Sequence, residues 1–323
     1  MARSPIIAAV VLITITSAQT PTLRTTVPLV VVPASVADKQ GRPIYGLSGS
    51  DFVVLDDGKP ATIRVETSDE VTAPVSFIAL VQTSDLTSAV LAKLRKVGAM
   101  LSQAVVGANG EAAVLTFDEN VTLVQEFTSQ PDLIQIAFEA LKLSDSGQAR
   151  MIDAVDRALD MLANRPGPRR AAILIIGESR ARMSQKKLDA ILEKAQRSGC
   201  IIYGLTYSAF LTPFTARPDD YTPPENGAPD YVAGIRELVR LKKPKTVDLL
   251  AAATGGRRLG FERQTGLEND LIALGKDLHS RYLITFTPEP DEQGQFHYLE
   301  VRVKGRSDVI VRARPGYWSA PAN

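Results

Sequence analysis

Two histidines, one cysteine and a few grouped carboxylates and arginines are the residues of this chain equipped for chemistry. His279 and His297 belong to no His-x-x-x-His pair, and no Cys-x-x-Cys occurs, so the spacing offers no zinc ligand set. No G-x-S-x-G turn is present to expose a serine nucleophile to a base. Both histidines are expected to be structural or surface residues. Cys200 opens an apolar run and reads as a small core residue. Being single, it excludes an intramolecular disulfide and leaves only a bridge between chains. Asp153 and Asp156 share a helix face by their spacing. Acid–base work would need a cleft partner, so a solvated face or compensation of the helix dipole is the plainer reading. Thr254-Gly255-Gly256-Arg257-Arg258 follows a helix and matches no phosphate-binding loop, which predicts a helix cap and turn. Arg165, Arg169, Arg170, Arg180 and Arg182 flank one strand and read as solvated surface rather than as a phosphate patch.

The elements that must position these residues follow from periodicity. Residues 24–72 read as a small β module. Leu29–Val32 and Phe52–Leu55 are apolar strands, Asp56-Asp57-Gly58-Lys59 is a hairpin turn, and Ala61–Glu66 alternates as a third strand. From Pro74 the pattern becomes strand, helix, strand. Val75–Val81 is a continuous apolar run, as in a parallel sheet buried on both faces. Helical spacing covers Leu86–Val105, Leu133–Leu143, Met151–Asn164, Gln185–Arg197, Thr246–Ala253 and Gly266–Ser280. Between them lie a hairpin over Glu111–Phe117 and Val121–Phe127 and strands at Ala171–Ile176, Cys200–Thr206 and Arg257–Phe261. This predicts a doubly wound, mainly parallel α/β domain over residues 74–281. Residues 208–245 interrupt it with a Pro-rich insertion that reads as a binding loop or a variable surface loop. Tyr282–Thr287, Phe296–Val303 and Val309–Arg314 return to strands, and residues 282–318 are expected to pack with the N-terminal module in a β-sandwich-like domain.

Charge is nearly balanced, 37 basic against 36 acidic residues, which excludes a global basic field for nucleic acid. Arg3, the apolar run Ile6–Thr16 and the small residues Thr16-Ser17-Ala18 have the pattern of a secretory signal over residues 1–18, an uncleaved anchor being the alternative. No later segment is apolar enough to cross a membrane, and an extracytoplasmic location, periplasmic or secreted, is expected.

Four stretches carry a resemblance over essentially the whole mature chain: "VADKQGRPIYGLSGSDFVVLDDGKPATI", "VSFIALVQTSD", "LLAAATGGRR" and "LHSRYLITFTPEP…FHYLEVRVKG…VIVRARPGYW". In this order the chain resembles the von Willebrand factor type A-related proteins of the acidobacterial type. The resemblance implies a metal-ion-dependent adhesion site at the C-terminal edge of the parallel sheet, built from a D-x-S-x-S loop, a Thr and an Asp. Such a site suits Mg²⁺, a hard cation that takes oxygen ligands in near-octahedral geometry. Carried over residue by residue, the first Asp falls on Gln82, the first Ser on Ser84, the second Ser on Leu86, the Thr on Ala149 and the last Asp near Ile176 or Gly177. Only Ser84 keeps its type. Asp85, Thr87 and Glu178 stand nearby as a shifted set.

The sequence therefore predicts a protein-binding, adhesion-type module without catalysis, cofactor or Mg²⁺. Its contact edge is expected at Gln82, Ser84, Asp85, Gln148, Ala149, Glu178 and Ser179, facing a protein partner. The rival readings are a metal-dependent adhesion protein using the shifted ligands, and an envelope hydrolase.

Overall fold

A computed structural model describes residues 29–66, 73–84, 88–107, 109–178, 184–207, 245–261, 264–289 and 294–319. The secretory-signal segment, Asp85, Thr87, Ser179, Arg180, Arg182 and nearly all of the 208–245 insertion lie outside them.

Strands β1 (Val30–Asp38), β2 (Phe52–Asp56), β3 (Lys59–Pro60) and β4 (Ile63–Glu66) lead into β5 (Val75–Gln82), every residue of which is buried. Successive β5 side chains go to opposite faces: Phe77, Ala79 and Val81 to one core, Ile78 and Leu80 to the other. Neighbours β6 (Glu111–Phe117), β7 (Val121–Thr128), β8 (Arg170–Gly177), β9 (Ile201–Tyr207) and β10 (Arg258–Phe261) complete a six-stranded sheet in the order β10-β9-β8-β5-β6-β7. All neighbours are parallel except the β6–β7 hairpin at one edge. From β5 the chain first winds toward β6 and then returns to β8 on the other side. The order reverses there, opening a crevice above the ends of β5 and β8.

Helices cover both faces. One core takes α1 (Ser88–Leu94), α2 (Gly98–Leu101), α3 (Pro131–Glu139) and the last helix through Leu91, Leu101, Ile134, Leu271 and Leu278. The other takes α4 (Met151–Ala163), α5 (Leu188–Ser198) and α6 (Thr246–Ala253) through Val155, Leu159, Leu192 and Leu250. The last helix, α7, runs Gln264–His279.

The single helix expected over Leu86–Val105 is broken. α1 and α2 are separated, and a π turn over Ser102–Val106 follows. Gly98 lies against α3 so closely that a Cβ there would stand 2.8 Å from the Gln135 Cα. The Gln135 amide bridges the break, accepting from Ala99 N (2.9 Å) and donating to Arg95 O (2.8 Å). A side chain from another helix thus replaces the interrupted helical bonds, which periodicity alone does not reveal.

Strands from the two ends of the chain interleave in two antiparallel four-stranded sheets around one shared core. Their orders are β13-β1-β11-β4 and β14-β12-β2-β3, where β11 is Tyr282–Phe286, β12 Phe296–Val303, β13 Val309–Arg312 and β14 Gly316–Trp318. β1 runs past Pro33, where a stop was expected, because it changes partner: Val30–Ala34 pair with β11 and Ser35–Asp38 with β13. The expected third strand, Ala61–Glu66, is β4 over Ile63–Glu66 and pairs with β11, while Lys59 and Pro60, at the end of the expected turn, form the short β3 and pair with β2. β14 was not expected as a strand, since three residues after Pro315 are too few for alternation to register.

The β part is joined to the sheet through buried polar contacts. Asp277 on α7 accepts from Ser35 Oγ (3.0 Å), Tyr203 Oη (2.7 Å) and Arg281 Nη2 (2.7 Å). Arg281 Nη2 also donates to Gly255 O (2.8 Å). Burial opposes charge on Asp277, yet Arg281 and the Tyr203 hydroxyl hold its carboxyl below the usual carboxylate range. Trp318 Nε1 donates to Gln196 Oε1 (3.1 Å), and the Arg197 guanidinium covers its ring at 4.9 Å.

Candidate functional site

Gln82 ends β5 at the crevice and is fully buried. Its amide joins the two loops that leave β5 and β8. Oε1 accepts from Glu178 N (2.8 Å), while Nε2 donates to Ser84 O (3.2 Å) and reaches Ser84 Oγ (3.3 Å). These partners fix which way the amide faces, since a backbone N–H needs an acceptor and a carbonyl a donor. Gly177 makes the approach possible: a Cβ there would lie 2.6 Å from Gln82 Oε1.

Ser84 is itself fully buried and forms a parallel bridge with Ser144. Thr83 extends the junction: its N–H donates to Phe117 O (3.1 Å), its carbonyl accepts from Ser144 N (3.0 Å), and its hydroxyl donates to Asp118 Oδ2 (3.3 Å). Ala149, at the Thr position implied by the resemblance, is fully buried and brings no oxygen-bearing side chain. Among the described residues, the arrangement does not fit Mg²⁺. A hard cation needs oxygen ligands, whereas the Gln82 carbonyl oxygen is engaged with a backbone N–H and its NH₂ group occupies the Ser84 oxygens.

Of the expected contact residues, Gln82, Ser84 and Ala149 are fully buried. Gln148 and Glu178 are half-buried beside them; Gln148 N donates to Ser146 Oγ (3.2 Å). Asp85 and Ser179 fall outside the described residues. At this edge lies an open cleft lined by Thr83, Asp118, Val124, Lys142, Leu143 and Ser144, among others. Leu143 is 43% exposed at its rim. Sequence reading missed this cleft because its walls come from β5, β6, β7 and the loop after α3.

Two further expectations are corrected. Asp153 and Asp156 do not form a solvated face. Asp153 is bound by Arg150 Nε (2.9 Å), Gln185 N (3.0 Å) and Lys186 N (2.9 Å), and Asp156 pairs with Lys194. They tie α4 to the segment entering α5. Nor are the described arginines a solvated patch: Arg165 and Arg169 hold Glu111 at 2.7 and 3.2 Å, and Arg170 donates to Ala73 O (3.1 Å) and Leu278 O (3.3 Å). Burial raises the energy of the Glu111 charge, but hydrogen bonds from Arg165 and Ser76 bring its carboxyl below the ordinary range. Thr254 is the cap of α6, and Gly255 follows at φ 73°. Cys200 is buried, and that burial pushes its thiol up, away from nucleophilic use.

His297, expected to be a structural or surface residue, is brought against the Asp56-Asp57 turn. Its Nδ1 lies 2.8 Å from Asp57 Oδ2 and 3.9 Å from Asp56 Oδ1. The signal was split between the two ends of the chain, where no local spacing could show it.

No protein-family model matches the chain, and no curated protein matches it. Solved structures do. BatB from Bacteroides thetaiotaomicron aligns at 14% identity and TM-score 0.43, over 62% of this chain and 99% of that one. An aerotolerance-related membrane protein from Bacteroides fragilis gives 14% and 0.42, over 63% and 98%. A von Willebrand factor type A protein from Catenulispora acidiphila gives 8% and 0.46, over 93% and 76%. All three TM-scores lie below 0.5, so the doubly wound architecture of the α/β body rests on its own strand order and helix layers.

Proposed function

We propose that this chain is an exported protein-binding module of the acidobacterial von Willebrand factor type A-related kind, without catalysis, in which an amide replaces the divalent cation of the adhesion edge. The observation carrying this reading is Gln82, which crosslinks the loops after β5 and β8 from the place where the resemblance puts the first metal-binding Asp. The crevice of an open α/β sheet is where ligands are generally received. Here Gln82 ties the starts of the two loops together beside a cleft that mixes apolar residues, Val124, Leu141 and Leu143, with polar ones, Thr83, Asp118 and Ser144. Such a rim suits a protein partner that inserts an apolar side chain among hydrogen-bonding groups. The secretory pattern of residues 1–18 supports export, and among the described residues no helix is long and apolar enough to cross a membrane.

Crosslinking capture from the native cell envelope, with EDTA throughout, tests the reading. The expected result is a defined partner held by the full chain and lost with Leu143→Asp, a rim substitution that leaves the thermal midpoint in place. Capture that needs Mg²⁺, or that survives Leu143→Asp undiminished, overturns it.

A further inference from the structure

We propose that Asp56, Asp57 and His297 form a binding site for a first-row divalent cation of the zinc or cobalt type, on a different sheet from the crevice. Asp56 ends β2, Asp57 is the first residue of the β2–β3 turn, and His297 lies on β12 beside them. One ligand atom from each converges: all three lie within 4.8 Å of one another. Tetrahedral coordination at ordinary metal–ligand lengths places ligand atoms roughly 3.3 Å apart. The observed 2.8 and 3.9 Å from His297 Nδ1 to the two carboxylates bracket that spacing.

The outer shell is already built. Tyr317 Oη donates to Asp56 Oδ2 (2.9 Å) and Tyr298 N to Asp57 Oδ1 (2.8 Å), so each carboxylate is held by its far oxygen and presents the near one to the imidazole. Tyr317 stacks on the His297 ring at 4.9 Å and 18°, fixing its plane. Groups that orient the ligands of a metal site are arranged in this way. The nearby cation Lys59 is paired with Glu289 at 2.7 Å. Asp57 is 46% exposed, which gives an entry path and room for water as a fourth ligand. One imidazole and two carboxylates suit Zn²⁺, Co²⁺ or Mn²⁺ over a purely oxygen-seeking ion. Because the ligands come from the two ends of the chain, the cation would fasten β2 to β12.

The sole tryptophan, Trp318, follows Tyr317 directly and so reports on the site. Titration of the full chain with Co²⁺, which quenches indole emission, is expected to give saturable micromolar quenching that Zn²⁺ reverses by competition. Asp57→Asn and His297→Gln should each weaken it about tenfold or more, while Gln82→Ala leaves it unchanged. Zn²⁺ should also raise the thermal midpoint with its concentration. Absence of saturable quenching up to millimolar Co²⁺ overturns the proposal. So does unaltered Co²⁺ affinity in Asp57→Asn, the variant that decides alone if His297→Gln fails to fold.

Discussion

Substituting Gln82 by Ala would strip an acceptor from Glu178 N and a donor from Ser84 O in one step. Buried groups left without partners cost about 1–3 kcal/mol each. The expected loss is about 2–6 kcal/mol, readable as a lower urea midpoint at unchanged slope. His279 makes a separate prediction at the same scale. Its Nε2 meets Val105 O at 2.9 Å, and Arg170 stands 3.5 Å from Nδ1. Burial, then the Arg170 charge, hold the imidazole below its ordinary range, against the Val105 hydrogen bond. The unfolded chain therefore takes up this proton first. Stability is full above about pH 6.5 and falls as pH drops through that value, by up to about 1.4 kcal/mol per unit, until the folded histidine also protonates. Urea midpoints measured across that range should show the slope in the native chain and lose it in His279→Gln. Much at this scale was legible: Gln82 stands out as the wrong residue for a cation loop. Its burial and its three contacts were not, because they depend on Gly177 arriving from a strand nearly a hundred residues away.

The joints between elements carry the next predictions. Asp277 and Arg281 sit one turn apart at the end of α7 and bind the β part to the sheet through Ser35, Tyr203 and Gly255. Breaking a buried ion pair by removing one partner costs about 3–5 kcal/mol. Asp277→Asn should therefore lower the thermal midpoint sharply, whereas a change at the exposed pair Arg306–Asp308 should leave it nearly untouched. Gly255 is constrained twice: its φ of 73° disfavours a side chain, and a Cβ would stand 2.7 Å from Ala313 C and Arg314 N. Gly255→Ala should cost at least about 1–3 kcal/mol from the backbone alone and shift Trp318 emission as β14 is displaced. Helix and strand identities were legible because apolar periods are local. The break at Gly98 and the partner switch in β1 were not, since each is decided by a distant neighbour, Gln135 in one case and β13 in the other.

At the scale of the molecule, a doubly wound sheet and an antiparallel β body assembled from both chain ends follow from the sequence's two grammars, alternating strands and helices within, strands alone outside. What the grammar left open is how the two bodies meet and what the upper edge of the sheet does. The exchange proposed there is an amide for a cation. Differential scanning calorimetry of the native chain and of Gln82→Ala, each in Mg²⁺ and in EDTA, measures that exchange. The predicted result is a native midpoint that Mg²⁺ does not raise, with Gln82→Ala lower in both solutions. A midpoint that Mg²⁺ raises in the native chain and no longer raises in Gln82→Ala would contradict it.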